Sequence, residues 1–454
     1  MNPVADLPRV PLSLEQDFMR VQFDTDGSAG LRSRPVAGDS WRLTGKVDTA
    51  ALQLALGDVV ARHEVLRTSV VNGPDGWEQR IHPPSTPELV VHDLPRDDSV
   101  PRDVRAEAFD AEFYAEPIDV DADTQPVLRA NLGVLDEDDS ILVLSGYVML
   151  LDVWSLHLVF QDLMACYAAR CGGEEPQLPP VRQYRDYIEE QRKPAQGDTV
   201  EAACAYWRDK LTGAGPMALT ADHEPVAGPS KGCRWNRFPI DAELGTRILE
   251  FARASRCSPF MVLFSVYLVH LRRLTGATDG VIWTLSPGPG RRRRAVEGIV
   301  GYFVNMFPMR TDFQGCATFN EVLAEVRATC LEAVPNEIPF VQLAQGIPDV
   351  IGNLEKGGMV VPGFQMSPSA FMPRVHAGPE LTGTALLRRA PLSVGPDIPD
   401  DAILWNVEIG PGNEMICTVV SSFDRFEQHT IDAMIADFCA VLRSAIDAPD
   451  APLG

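Results

Sequence analysis

The side chains best suited to move protons near neutral pH are the histidines, His63, His82, His92, His157, His223, His270, His376 and His429, and they are dispersed, with no serine or cysteine partner at a spacing that would pair a nucleophile with its base. Asp119, Asp121 and Asp123 alternate as carboxylates do at the start of a calcium loop, but the glycine at position six and the glutamate at twelve are missing. Gly288-Pro289-Gly290 is too proline-broken to cradle a phosphate, and no P-loop lysine follows. The nine cysteines are odd in number and never form Cys-x-x-Cys, a pattern of reduced thiols that argues against a disulfide framework or a zinc site. No metal, ATP or nicotinamide cofactor is expected. The remaining polar candidates are Ser155, which reads as a helix N-cap in preference to a nucleophile, and the run Arg291-Arg292-Arg293-Arg294.

The elements that would position these residues lie in a chain of 454 residues, 45% hydrophobic, with a net charge of −23. Such a chain has the material for two or three domains with proper cores, and its acidity repels phosphate backbones and anionic lipid, so nucleic-acid and membrane roles are disfavoured. Met1 to Val10 shows no signal-peptide pattern, and a cytoplasmic protein is expected. A helix begins after Asp48, with Ala51, Leu52, Leu54, Leu56, Val59 and Val60 as its apolar face, and passes through Arg62-His63-Glu64-Val65-Leu66-Arg67 into a β-branched strand. Strands at about Val127 to Leu135 and Ile141 to Val148 flank an acidic turn and read as a hairpin. The apolar stretch Ile141 to Phe160 has membrane length, but Gly146, Asp152, Ser155 and His157 make it a strand, a turn and a helix, the last stopped by Gly172-Gly173. Residues 176–199 are Pro, Glu and Gln rich and read as a linker with one short helix. Beyond it come the buried helix Pro259 to Leu274, a strand at Val281 to Ser286, a strand at Val300 to Arg310, helices near 318–334 and 428–445, and a strand at Ile416 to Phe423. The class is α+β in two lobes, 1–175 and 200–454.

Laid in order, these segments resemble the condensation domains of nonribosomal peptide synthetases. Ser13-Leu14-Glu15-Gln16 is similar to the family's Ser-x-x-Gln element, Arg62 to Thr68 to its RHExLRT segment, and Tyr184-Arg185-Asp186-Tyr187 to its Y-x-D-F motif. Gly301-Tyr302-Phe303-Val304-Asn305 with Arg310 resembles its FVN strand, Ile338-Pro339-Phe340 its VPF segment, and Phe423-Asp424 with Thr430-Ile431 its C-terminal element. The resemblance implies two chloramphenicol-acetyltransferase-like lobes in a V-shaped pseudo-dimer around a central tunnel, with latch and floor-loop crossovers from the second lobe. It also implies carrier proteins that present pantetheine-tethered donor and acceptor in trans, with no other cofactor.

The family's His-His-x-x-x-Asp-Gly motif, followed by Trp-Ser, aligns here with Tyr147-Val148-Met149-Leu150-Leu151-Asp152-Val153-Trp154-Ser155. Both histidines and the glycine are replaced. Val148 stands where the family positions or deprotonates the attacking amine, and it has no lone pair for the task. Tyr147 is a poor substitute, because an unperturbed phenol titrates near pH 10. In the related heterocyclisation motif Tyr147 replaces the first aspartate, which disfavours cyclisation as well. His157, two residues into its helix, is expected to point away from the tunnel. Asp152 survives, and the resemblance implies a structural ion pair with Arg291. Tyr147, Val148, Ser155 and Asn305 are the tunnel-lining candidates.

These readings point to a freestanding condensation-like protein, with condensation impaired or absent, that binds carrier-tethered intermediates of nonribosomal peptide or hybrid polyketide assembly and recruits a tailoring enzyme such as a cytochrome P450. The alternative is a working acyltransferase that forms an amide or ester without a histidine, since oriented reactants reach effective molarities on the order of 10⁵ M. Carrier proteins are themselves acidic, so docking must use local patches, for which Arg102 and Arg105, Arg291 to Arg294, and Arg388 with Arg389 are the candidates.

Overall fold

The computed structural model describes residues 7–23, 33–34, 36–73, 76–97, 99–114, 118–119, 128–193, 197–225, 230–354, 359–367, 374–378, 380–394 and 398–453. The chain forms two compact units. The first contains Met1–Gln196, Pro287–Val304 and Phe371–Arg388, and the second Gly197–Ser286, Asn305–Ala370 and Arg389–Gly454.

The first unit is built on a mixed six-stranded sheet, in the order Val375–Ala377, Leu381–Ala385, Val36–Thr44, Asp139–Tyr147, Arg129–Asp136 and Leu89–Asp93. Every residue of Asp139–Tyr147 is buried between neighbours, and the apolar run Ile141 to Leu144 at its centre does not alternate. The expected hairpin is present, with Arg129–Asp136 antiparallel to Asp139–Tyr147; Val127 lies outside the described residues. Ile141 to Phe160 is a strand, a turn and the start of helix Val153–Cys171, and among the described residues no single helix is long and apolar enough to cross a membrane.

Three local expectations are corrected. Helix Thr49–Arg62 is capped by Asp48 as predicted, but it stops at Arg62, and Glu64–Arg67 forms a 3₁₀ turn before the strand Thr68–Gly73. Its buried stripe is Ala51, Leu52, Ala55, Leu56, Val59 and Val60, while Leu54 is 56% exposed. At 100° per residue Leu54 lies some 200° from Leu52, on the far side of the helix, and Ala55 fills the stripe instead. The strand read over Val300 to Arg310 begins only at Asn305, because the N–H groups of Gly301 and Phe303 are taken by side chains and not by a neighbouring strand.

The segment 176–199, read as a linker with one short helix, carries such a helix at Tyr184–Gln191, and it buries Tyr184, Tyr187, Ile188 and Gln191 inside the first unit. The segment ending at Arg388 supplies two strands of the first sheet, and its last residue is buried. Arg388 reaches Asp110 Oδ2 through Nε at 2.6 Å and Asp39 Oδ1 through Nη1 at 3.2 Å.

The second unit has a mixed seven-stranded sheet, in the order Asn305–Asp312, Asp279–Ser286, Val361–Met366, Ala402–Ile409, Met415–Ser422, Cys233–Ile240 and Leu392–Val394. Helix Pro259–Thr275 is its most buried helix. Ser258 caps it, Pro259 opens it where a missing N–H costs nothing, and Gly276 ends it in the left-handed region at φ 75°.

Candidate functional site

The site is a loop between an interior strand and a helix. After Tyr147 the chain turns, with the N–H groups of Leu150 and Leu151 donating to the Tyr147 carbonyl at 2.9 and 3.2 Å. Asp152 then adopts an extended conformation as N-cap of Val153–Cys171, and its Oδ1 accepts from Ser155 N at 2.7 Å. The cap is therefore Asp152 and not Ser155. The serine hydroxyl is committed elsewhere: it donates to the Gly301 carbonyl at 2.5 Å and accepts from Gly301 N at 2.9 Å and Arg291 Nη2 at 2.7 Å.

Asp152 and Arg291 meet at 3.1 Å, each side chain 3% exposed. Asp152 Oδ2 also accepts from Phe303 N at 3.0 Å, and Arg291 Nη1 donates to the Ile299 carbonyl at 2.7 Å. The guanidinium lies over the Phe303 ring, 4.1 Å from its centroid. Such a pair persists in a low-dielectric interior because nearly every lone pair and N–H around it is used. It acts as a staple between the loop and Arg291–Val304, and its carboxylate is not free to serve as a base.

The Ser-x-x-Gln element supports the same loop by a mechanism legible in its spacing. Ser13 N donates to Gln16 Oε1 at 2.8 Å and Gln16 N to Ser13 Oγ at 3.0 Å, a reciprocal cap for helix Leu14–Phe23. The amide left on Gln16 donates to the Met149 carbonyl at 2.8 Å. Behind it, the Tyr184 hydroxyl pairs with Ser13 Oγ at 2.9 Å and donates to the Tyr302 carbonyl, while Tyr187 Oη and Gln191 Nε2 donate to Glu15 Oε1 at 2.9 and 2.8 Å. Sequence reasoning missed this cluster as a brace, although the i, i+3 serine and glutamine were its signal.

Burial pushes the Glu15 carboxyl above its ordinary value, and its hydrogen bonds only partly offset that. An acid raised on folding costs stability in full above its folded value, and the cost shrinks as pH falls from there towards the ordinary carboxyl value. Glu15→Gln should therefore gain melting temperature relative to the parent at pH 8, with the difference shrinking towards pH 5 in a thermal-melt series. A difference that does not change with pH would show that the buried charge is not the cause.

Within Tyr147 to Ser155 only Val148, Val153 and Trp154 are partly exposed. Tyr147 is buried, its hydroxyl donating to Met149 Sδ at 3.0 Å. Trp154 Nε1 is the only polar side-chain atom on the three partly exposed residues, and it is sheltered without a partner. His157 is buried, with Nε2 3.0 Å from Asp39 Oδ2 and its ring edge-on to Trp41 at 5.5 Å, so it is no displaced base. Burial pushes the Asp39 carboxyl up, but His157 and Arg388 outweigh it and hold it below the usual range. In the second unit Asn305 Nδ2 donates to Glu337 Oε1 and the Ile338 carbonyl at 2.9 and 3.0 Å, and its Oδ1 accepts from Phe340 N at 2.8 Å. Of the four lining candidates, Tyr147, Ser155 and Asn305 are thus interior side chains with engaged polar atoms, and only Val148 keeps partial exposure.

His63 binds Asp162 at 2.7 Å, in keeping with a structural role for its segment. None of the nine cysteines is in a disulfide, and no group of His, Cys, Asp and Glu among the described residues could hold a metal. Of the calcium-like stretch, Asp121 and Asp123 lie outside the described residues.

The braces that converge on the loop are the family elements in their expected order, and the condensation-domain family model matches residues 39–349. The chain belongs to the condensation-domain family. This family serves nonribosomal peptide biosynthesis, and its two-lobed chloramphenicol-acetyltransferase-like α+β fold is the fold of this chain. Two proteins of the linear gramicidin synthase of Brevibacillus parabrevis are similar to it. One is 31% identical over 448 residues, covering 97% of the chain and 8% of that protein. The other is 29% identical over 461 residues, covering all of the chain and 6% of that protein. The chain thus spans less than a tenth of the length of either gramicidin synthase protein. The SgcC5 protein of Streptomyces globisporus, solved in complex with (R)-(-)-1-(2-naphthyl)-1,2-ethanediol and sucrose, is 37% identical, with a TM-score of 0.89 over 97% of this chain and 100% of that one. The X-domain from teicoplanin biosynthesis, solved in complex with OxyB, shares the fold at 24% identity and a TM-score of 0.74, covering 98% of this chain and 95% of that one. In this condensation-family chain the family elements form a scaffold around a loop that has no imidazole.

Proposed function

We propose that the chain binds carrier-tethered intermediates of nonribosomal peptide or hybrid polyketide assembly in trans, that condensation on it is impaired or absent, and that it serves to recruit a tailoring enzyme such as a cytochrome P450. The observation that carries this reading is Val148. The position that handles the proton of the attacking amine has an isopropyl group, and nothing on the partly exposed face of the loop replaces it. A positioned general base contributes typically 10²–10⁴ in rate, so its loss leaves proximity alone to accelerate aminolysis. The recruitment half draws on the shared fold of the teicoplanin X-domain, which was solved bound to OxyB. The phosphopantetheine arm of the partner carrier is the only prosthetic group the reading needs.

The test is incubation with one carrier bearing an acyl thioester and a second bearing an aminoacyl group, with the amide followed by intact-protein mass spectrometry. The expected rate is at least about 100-fold below that of a histidine-bearing condensation domain. Turnover comparable to such a domain would overturn the non-catalytic reading.

A second reading has its own support, since SgcC5 was solved with a vicinal diol bound. On that basis the chain would be an acyltransferase that joins a carrier-bound acyl group to a hydroxyl or amine by a histidine-independent route. Ester formation from an acyl carrier and the naphthyl ethanediol, unaffected by Val148→Ala, is the result that would favour it.

A further inference from the structure

In two of the three arginine clusters that the sequence offers for docking the cations are engaged by the fold, Arg388 in the interior and Arg102 and Arg389 at the surface. Arg102 pairs with Asp136 and Asp139, and Arg105 donates to the Leu135 carbonyl. Arg388 is buried between Asp39 and Asp110, and Arg389 pairs with Glu414 at 2.9 Å. The third cluster buries its first member and places the next three in succession at the surface. Arg291 plants the turn in the interior, and Gly290 seats against the Tyr187 ring, where a Cβ would come within 2.8 Å of the hydroxyl. The turn closes with Arg293 N donating to the Gly290 carbonyl at 3.0 Å and Val296 N to the Arg293 carbonyl at 2.8 Å.

Arg292, Arg293 and Arg294 are therefore displayed, exposed, from a fixed turn beside the C-terminal end of helix Tyr184–Gln191. There Arg293 and Arg182 both reach the Glu190 carboxylate, Arg293 at 3.1 Å, and the nearby Arg182, Arg293 and Lys193 together hold that carboxyl below its usual range. Arg182, Lys193 and Arg292 to Arg294 thus cluster at this turn and helix end, with Glu190 engaged by two of them and Glu189 and Glu297 nearby in sequence, on a chain of net charge −23. With a Debye length of about 8 Å at physiological salt, a partner at this face senses the local excess and little of the distant acidity.

We infer that Arg182, Lys193 and Arg292 to Arg294 form the docking surface for an acidic protein domain, the carrier that presents the tethered intermediate. This rests on the carrier-binding reading above. The planar forks of arginine suit carboxylates on a helix, and the surface spans only one turn and one helix end. A phosphate track would have to pass the flanking glutamates and the acidic remainder of the chain, which favours a compact acidic protein over nucleic acid.

The experiment measures binding of the full chain to the apo carrier domains encoded beside its gene, by fluorescence anisotropy at low and high sodium chloride. The apo form removes any contribution from the pantetheine arm. The variant Arg292→Glu with Arg293→Glu and Arg294→Glu should bind about tenfold more weakly at low salt, lose most of its salt dependence, and keep its melting temperature. Glu→Arg changes on the carrier should restore binding to the variant. Carrier affinity within about twofold of the parent would overturn the surface while leaving the carrier-binding reading intact. Displacement of the carrier from the parent by an equal concentration of duplex DNA would mark a generic polyanion patch and overturn the inference too. Failure of the parent to bind any of these carriers would remove the carrier-binding reading, and this surface with it.

Discussion

Replacing Asp152 with alanine should destabilise the protein by about 3–5 kcal/mol, because the change leaves Arg291 charged, 3% exposed and without its carboxylate. For a unit of this size the melting temperature would fall on the order of 10 °C. The helix N-cap is lost in the same stroke, since Asp152 Oδ1 is the acceptor for Ser155 N. Adding Arg291→Met should recover part of the loss, as removing both charges of a buried pair costs less than stranding one. The measurement is a thermal melt of the parent, the two single variants and the double variant. A single Asp152→Ala change that moves the midpoint by less than about 2 °C would mean that the pair contributes nothing measurable to the fold.

The second large effect is steric. Gly301→Ala would place a Cβ 2.2 Å from Tyr184 Cδ2 and 2.6 Å from Cε2, well inside any real contact. The ring has little room to retreat. Its hydroxyl is tied to Ser13 and the Tyr302 carbonyl, and its faces meet Tyr187 and Phe303 with centroids at 5.9 and 5.2 Å. Overpacking of this kind costs typically 1–3 kcal/mol, and the upper end is expected because the displaced ring also breaks the contact that braces Ser13. Tyr184→Ala should be destabilising by itself, yet the double variant should lose less than the two singles together, since the second change makes room for the first. Denaturant unfolding of the three variants reads this directly. Simple additivity would mean that the two side chains do not compete for the same space.

Both predictions concern contacts that local pattern could not supply. The hairpin Arg129 to Tyr147, the strand-turn-helix division of Ile141 to Phe160 and the cap at Asp48 were legible because periodicity and capping act over a few residues. The motif alignment named Asp152 and Arg291 as partners. It did not reveal that Ser155, taken for the cap, would spend its hydroxyl on Gly301 and Arg291, which displaces the cap to Asp152. The short helix within the segment 176–199 was legible, but not that its buried Tyr184, Tyr187 and Gln191 hold Ser13 and Glu15, more than 150 residues away in sequence.

The loss of acid–base chemistry at position 148 was decided by the sequence alone, because covalent identity fixes it: no arrangement of the chain gives valine a proton to exchange. The same holds for the net charge and for the presence of four consecutive arginines. Which of those arginines would be buried and which displayed was decided only by tertiary structure, since a guanidinium is neutralised by whichever carboxylate folding brings to it. Arg291 found Asp152, while Arg293 came to share a surface glutamate with Arg182, and that difference separates a staple of the fold from a face able to meet a partner.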